Sequence, residues 1–361
     1  MDSLIFKCPI NPVSFGNVSF NLLREMFRRE IAIAHFPIGN VDASVYDKIP
    51  QELKEWLQSA IDNRYKLLKK DVPTLQLWHI NGSENRITSK QHLITFYELD
   101  QPTEAEKNIV NIQDSVMFSS KYSSQSFKSV GCNNVSNIPI GFDPDFHKTG
   151  KKYLEGKIHF GLMGKWEKRK HTAKILKIWA EKYGNNYNYQ LSCCINNSFL
   201  KPEQLNQFIG EALEGKQYGN INFLPFLKTN SEVNELLNAI DIDLTGLSGA
   251  EGWNLPAFNA TALGKWSLVL NATSHKDWAT EDNSILVEPS GKTPAYDGIF
   301  FHQGAPFNQG NIYDFDNDEV VSKMEEAEAK CKEENIEGLE LQKDFSYSRT
   351  LDSVLSNIEN N

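Results

Sequence analysis

Two short segments concentrate residue types that handle phosphates and sugars. Glu251-Gly-Trp-Asn-Leu-Pro256 lies between an apolar run ending near Thr245 and a helical pattern through Phe258, Ala260 and Leu263. A strand, a glycine-bearing turn and a helix, in that order, bring backbone N–H groups and the positive end of a helix dipole to the carboxyl edge of a sheet. An acid opening such a loop accepts hydrogen bonds from sugar hydroxyls. The plainer reading is an acid favoured beside a helix N-terminus by the dipole. Gly164-Lys-Trp-Glu-Lys-Arg-Lys170 also follows a strand-like run and precedes a helix, with four cations in six residues. Cations at such a turn neutralise phosphates, whereas a lone basic run is most often a solvated face. Trp78-His79 reads as the end of a buried strand, and His275 and His302 fall in later loops. The acidic stretch 314–319 lacks the spaced oxygen ligands of a calcium loop and reads as a solvated turn.

Such loops need alternating strands and helices to position them, and the hydrophobic periodicity predicts them. Strands are expected at residues 3–10, 31–35, 75–80, 92–97, 116–119 and 135–139. Helices are expected at 19–29, 50–69, 104–112 and 122–130, with Gly16 in the loop after the first strand. The second of these helices would end on Lys66, Lys69 and Lys70, where cations suit the dipole. After a glycine-bearing link at 141–150, a second run begins. Its strands fall at 157–164, 187–195, 221–224, 240–245 and 267–271. Its helices fall at 171–183, 201–214, 231–239 (capped by Ser231), 320–333 and 350–358. The order predicts an α/β fold of two Rossmann-like lobes facing one cleft.

Composition narrows the function classes. The 361 residues carry a net charge of -10, and 14 acids against 5 bases fall in residues 314–361. The rest is nearly neutral, without the basic excess of a sequence-independent nucleic-acid binder. No apolar run approaches the roughly 18 residues of a spanning helix, and no signal-peptide pattern opens the chain, so a cytoplasmic setting is expected. The five cysteines include no Cys-x-x-Cys pair, which indicates neither a disulfide framework nor a zinc site.

Together the two segments resemble the retaining GT-B glycosyltransferases, specifically the family 4-like group that includes sucrose synthases and bacterial mannosyltransferases. That group pairs a Gly-Arg/Lys…Arg-Lys-Gly turn with Ser-x-x-Glu-Gly-Phe/Trp-Gly-Leu-Pro about 80 residues on. Here the matching residues are Gly164-Lys165…Arg169-Lys170-His171 and Ser248-Gly-Ala-Glu251-Gly-Trp-Asn-Leu-Pro256. The junction Ser119…Tyr122…Phe127…Gly131…Ile138-Pro-Ile-Gly-Phe-Asp143…Phe146 is similar too, and the resemblance spans residues 75–328.

The resemblance implies a GT-B fold with an acceptor-side domain at 1–145, a nucleotide-sugar domain at 146–335 and a tail helix at 336–361 returning to the first domain. It implies a retaining, metal-independent transferase that moves a sugar from a nucleotide-diphospho-sugar to an acceptor hydroxyl, with no cofactor. Lys165, Arg169 and Lys170 would hold the diphosphate. Glu251 would bind the transferred sugar, with Gly252, Trp253, Asn254 and Leu255 beside the phosphate. Gly16 would let the first loop approach the donor. Tyr97, Glu98 and His79 fall on the acceptor side, and Glu251, Lys170 and Glu98 are the catalytic candidates.

Asn259 stands where the group has a second Glu, and Tyr97-Glu98 where a His is common. These departures leave a second reading, a sugar-nucleotide-binding module without turnover. The acceptor reads as a glycan, lipid or protein. A phage-type enzyme acting on hydroxylated DNA bases is an alternative, with Arg64, Lys66, Lys69 and Lys70 facing the DNA backbone. Glu251→Ala is expected to abolish transfer with the fold intact. Removing residues after Leu341 is expected to loosen the relation between lobes without unfolding either.

Overall fold

Short runs rich in Val, Ile, Leu and Phe, each closed by a turn, become the strands of the computed structural model, which describes residues 3–151 and 153–361. The chain forms two compact units. Unit 1 comprises residues up to Asp143, with Phe301–Gly310 and Phe345–Asn361; unit 2 comprises Pro144–Phe300 and Asn311–Asp344.

Unit 1 runs β1 (Ser3–Cys8), α1 (Ser14–Arg28), β2 (Ala32–Pro37), α2 (Gln51–Asp62), β3 (Thr74–Leu77) and β4 (Gln91–Thr95). It continues with α3 (Glu104–Asn111), β5 (Ser115–Phe118), α4 (Lys121–Ser129) and β6 (Val135–Asn137). The six strands are parallel in the order β2-β1-β3-β4-β5-β6. Every residue of β3, β4 and β5 is buried, as expected of parallel strands covered on both faces.

Unit 2 runs β7 (Ile158–Met163), α5 (Thr172–Tyr183), β8 (Tyr189–Cys194), α6 (Pro202–Ala212), β9 (Ile221–Phe223), α7 (Asn230–Ala239) and β10 (Ile242–Asp243). Then follow α8 (Leu255–Ala262), β11 (Trp266–Leu270), β12 (Ile285–Val287), β13 (Gly291–Pro294), β14 (Asn311–Asp314), α9 (Asn317–Lys330) and α10 (Ile336–Asp344). The main sheet is parallel in the order β12-β11-β10-β7-β8-β9. Trp179 and Phe160 centre its core, and Val320, Met324 and Ala327 of α9 join them. The last helix, α11 (Tyr347–Asn360), belongs to unit 1 and packs on α1 and β5.

Both sheets reverse their winding, between β1 and β3 in unit 1 and between β7 and β10 in unit 2. Loops leaving strands at such a reversal splay apart and open a crevice at the carboxyl edge.

Several local expectations are corrected. α2 ends at Asp62, where Asn63 donates back to the Ser59 carbonyl at 3.0 Å, and a 3-10 turn over Arg64–Lys66 follows. Lys66, Lys69 and Lys70 therefore lie beyond the helix end. Gly16 lies in the first turn of α1 rather than in a loop. Thr229, not Ser231, caps α7, in a capping box with Glu232. Residues 336–344 form a helix of their own, α10, which the periodicity did not separate from the tail helix. β12, β13 and β14 have no counterpart in the periodicity, because they are short and two of them pair across a long excursion.

Candidate active site

The chemistry of unit 2 starts at Gly164, whose φ of +126° suits glycine. A Cβ there would stand 3.3 Å from Lys170 Cδ, so the missing side chain leaves the path that Lys170 takes. A 3-10 turn over Lys168–Lys170 then puts Arg169 and Lys170 side by side. From β10, the loop through Ser248 brings Glu251 to meet them. Gly249 N–H donates to the Arg169 carbonyl at 2.8 Å, and Tyr313 N–H of β14 donates to the Gly249 carbonyl at 2.9 Å. A Cβ at Gly249 would fall 2.4 Å from the Tyr313 carbonyl and 2.6 Å from His171 Nε2, so the two loops close only over glycine.

Lys170 Nζ donates to Glu251 Oε1 at 2.6 Å, and Arg169 Nη1 stands 3.0 Å from Glu251 Oε2. Arg169 also donates to Glu167 at 3.1 Å and to the Ala250 carbonyl. Glu251 and Arg169 are buried, and the Lys170 side chain keeps 15% exposure. Burial alone would raise the Glu251 carboxyl. The Lys170 and Arg169 cations and the Ser248 hydroxyl outweigh it and hold the group far below the usual carboxylate range. The site is thus an ionised acid with two cations at a sheet's switch point.

Asn254 sits at the N-cap of α8 in the left-handed region (φ 67°), a conformation that Asn tolerates better than most residues. Its amide donates to the Thr245 carbonyl and to His275 Nε2, each at 3.0 Å. His275 Nδ1 donates to the Leu270 carbonyl at 2.9 Å. Burial pushes His275 down to about 4, so it is a neutral strut. Glu251 N–H donates to the Thr273 hydroxyl at 3.3 Å. The loops after β10 and β11 are therefore stitched together beneath Glu251. Trp253 is buried against Phe258, and its carbonyl accepts from Trp278 Nε1 at 3.1 Å. Leu255 opens α8, and Asn259 is buried in its second turn. The Lys165 ammonium lies 5.4 Å from the Phe199 ring centroid.

Unit 1 gathers a second group at the carboxyl ends of β3 and β4. Trp78, His79, Asn81, Phe96, Tyr97, Glu98, Glu106, Phe307 and Asn308 are among the residues lining a cavity of about 490 Å³. Phe15, at the start of α1, contacts His79 at 4.4 Å, Phe96 at 5.0 Å and Trp78 at 5.6 Å between ring centroids. Tyr97 and Glu106 are buried beneath them. Glu106 Oε2 accepts from Tyr97 OH at 3.1 Å and Thr103 N–H at 2.8 Å, and Oε1 accepts from Asn308 N–H at 2.8 Å. Burial pushes its carboxyl up against those donors. Gly16 lies beside Phe15; a Cβ on it would meet the Asn11 carbonyl and Oδ1 at 2.3 Å. Its absence lets the loop after β1 fold onto the helix start.

Sequence reasoning did not single out Glu106, Phe15, Phe96, Thr273, Phe307 or Asn308. Glu106 had a signal, the Thr-x-x-Glu capping pattern from Thr103; the others had none. His302 is exposed. The acidic stretch does structural work, since Asp316 caps α9 and Asp314 pairs with Lys174 at 2.7 Å. Among the described residues, no group of three or more His, Cys, Asp or Glu converges as a metal-binding set, and no helix is long and apolar enough to cross a membrane.

No family profile and no curated protein sequence matches the chain. Solved structures do. The apo structure of OtsA aligns with a TM-score of 0.68 at 11% identity, covering 99% of each chain. Sucrose-phosphate synthase from Thermosynechococcus elongatus aligns at 0.67 and 12% identity over 100% of this chain and 99% of its own. Anabaena HepE in complex with UDP and glucose aligns at 0.65 and 11% identity over the whole of both chains. The fold is GT-B. In the GT-B frame, the Glu251 cluster and the Trp78 cavity each occupy the carboxyl edge of one of the two Rossmann-like sheets.

Proposed function

We propose that the chain is a retaining, metal-independent glycosyltransferase that takes a sugar from a nucleotide-diphospho-sugar to an acceptor hydroxyl. The observation that carries this reading is the Glu251 carboxylate clasped by Lys170 and Arg169 in front of α8. An incoming diphosphate offers Lys170 the same charge that Glu251 offers it now. As Lys170 turns to the phosphate, Glu251 is released to accept from the sugar's hydroxyls. The positive end of α8 lies beside both. The cations stabilise the departing diphosphate in place of a metal. The donor's own phosphate oxygen takes the acceptor proton as the new glycosidic bond forms and the sugar–phosphate bond breaks. HepE is described in complexes with UDP and with UDP-glucose, which makes a UDP-sugar the first donor to test.

The test has three parts. A thermal-shift panel of UDP-, GDP- and ADP-sugars with excess EDTA should raise apparent stability for one nucleotide class. Donor hydrolysis should release free nucleoside diphosphate. NMR of the product should show the donor's anomeric configuration kept. No shift with any nucleotide rejects the reading. A shift without release of nucleoside diphosphate favours the module without turnover, which rests on Asn259 in place of a second acid.

A further inference from the structure

Resting on the glycosyltransferase reading, we infer that the unit 1 cavity seats the acceptor and that this acceptor is a neutral saccharide. Trp78 and Phe96 are half-buried rings in its wall, held at fixed angles by Phe15 behind them. A pyranose ring has an apolar C–H side that packs on an aromatic face and an equatorial rim of hydroxyls that needs acceptors. Pockets of this kind combine apolar walls with a few placed polar groups. Glu98 supplies a carboxylate at the wall, and Asn81 and Asn308 supply amides that donate and accept. Glu106 spends both oxygens on Tyr97, Thr103 and Asn308, so it fixes the floor rather than reaching the ligand.

Charge selects against phosphorylated acceptors. The lining holds two carboxylates and neither Lys nor Arg. Phosphate sites are built from cations or open helix N-termini. Asn11 lies against the start of α1, its Oδ1 accepting from Val13 N–H at 3.1 Å. The basic residues Arg64, Lys66, Lys69 and Lys70 precede β3, whereas Trp78 and His79 follow it. They mark the amino edge of the sheet, and the cavity opens at the carboxyl edge. A DNA backbone gripped by those lysines would not deliver a base to this cavity.

The experiment is saturation-transfer NMR on the full chain, with and without UDP. The probes are glucose, galactose, mannose, maltose and sucrose, then glucose 6-phosphate, dihexanoyl-phosphatidylglycerol and an eight-residue oligothymidine. At least one neutral sugar should bind saturably, and Phe96→Ala and Trp78→Ala should each weaken it tenfold or more. Both variants should keep the thermal shift given by UDP, while Glu251→Gln should keep the sugar signal. Glucose 6-phosphate should bind no more tightly than glucose. The inference is overturned if no neutral sugar binds, if the ring variants leave sugar binding unchanged, or if the sugar phosphate, lipid or oligonucleotide binds tenfold tighter. Failure of the donor reading shows separately, as absence of any nucleotide shift.

Discussion

At the level of single residues, one buried carboxylate, Glu251, is held by two cations, Lys170 at 2.6 Å and Arg169 at 3.0 Å. Glu251 and Lys170 stand at spaced positions in motifs whose residue types announce the chemistry. That both cations share one buried carboxylate depends on Gly164 and Gly249 letting two distant loops close, which no local pattern records. The pairing changes what a substitution does. Glu251→Ala removes the buried carboxylate that Lys170 and Arg169 share, leaving Arg169 its pair with Glu167, and should cost roughly 3–5 kcal/mol of stability. The expectation of an unperturbed fold is therefore revised. Adding Lys170→Ala should recover part of the loss, and urea unfolding of the single and double variants measures that coupling. Glu251→Gln keeps the shape and is the better probe of transfer; full activity in it would remove Glu251 from the mechanism. Lys170→Ala should weaken nucleoside diphosphate binding by roughly 1.5–3 kcal/mol, as for a charge-assisted hydrogen bond. Titration with the diphosphate alone should show the same loss as titration with the sugar nucleotide.

At the level of elements, periodicity located most strands and helices, and the ends were set by groups it does not weigh. Asn63 closes α2 ahead of the lysines, and Thr229 caps α7 two residues before the expected cap. β13 and β14 were invisible because their pairing skips residues 295–310, yet β14 anchors the Gly249 loop. The entry to α8 shows why such details matter. Asn254 holds a left-handed N-cap and ties the loop to Thr245 and His275. Asn254→Ala adds strain at a positive φ and loses both hydrogen bonds, which should cost roughly 2–4 kcal/mol. Asn254→Gly keeps the conformation and should cost less. Equal destabilisation by the two, read from urea midpoints, would show that backbone geometry is not what Asn254 provides.

At the level of the whole molecule, buried histidines tie both units to pH. Burial lowers His35, His92 and His275 each to about 4. The unfolded chain, with histidines near 6.5, binds more protons than the native one between those values. Stability should be full above about pH 6.5 and fall as pH drops toward 4. Asp243, pushed up to about 6 by burial, opposes this over part of the window but is outnumbered. Thermal midpoints flat from pH 7 to 4.5 would contradict the assignment. The tail helix is part of unit 1. Tyr347, Leu351, Val354 and Ile358 of α11 are buried, and Arg29 of the α1 C-cap pairs with Asp352. Four such side chains at roughly 1.5–3 kcal/mol each approach the whole stability of a domain. Deleting residues after Leu341 should therefore unfold unit 1, seen as loss of its protected amides in hydrogen exchange, while those of unit 2 persist. This geometry also sets a timetable for synthesis. Arg29 and Asp352 lie 323 residues apart. At 5–20 residues per second, a ribosome leaves the apolar flank of α1 uncovered for roughly 15–65 s. Through that interval the nascent chain is a client for holdase chaperones, and crosslinking of stalled nascent chains should find them on α1 until α11 has emerged.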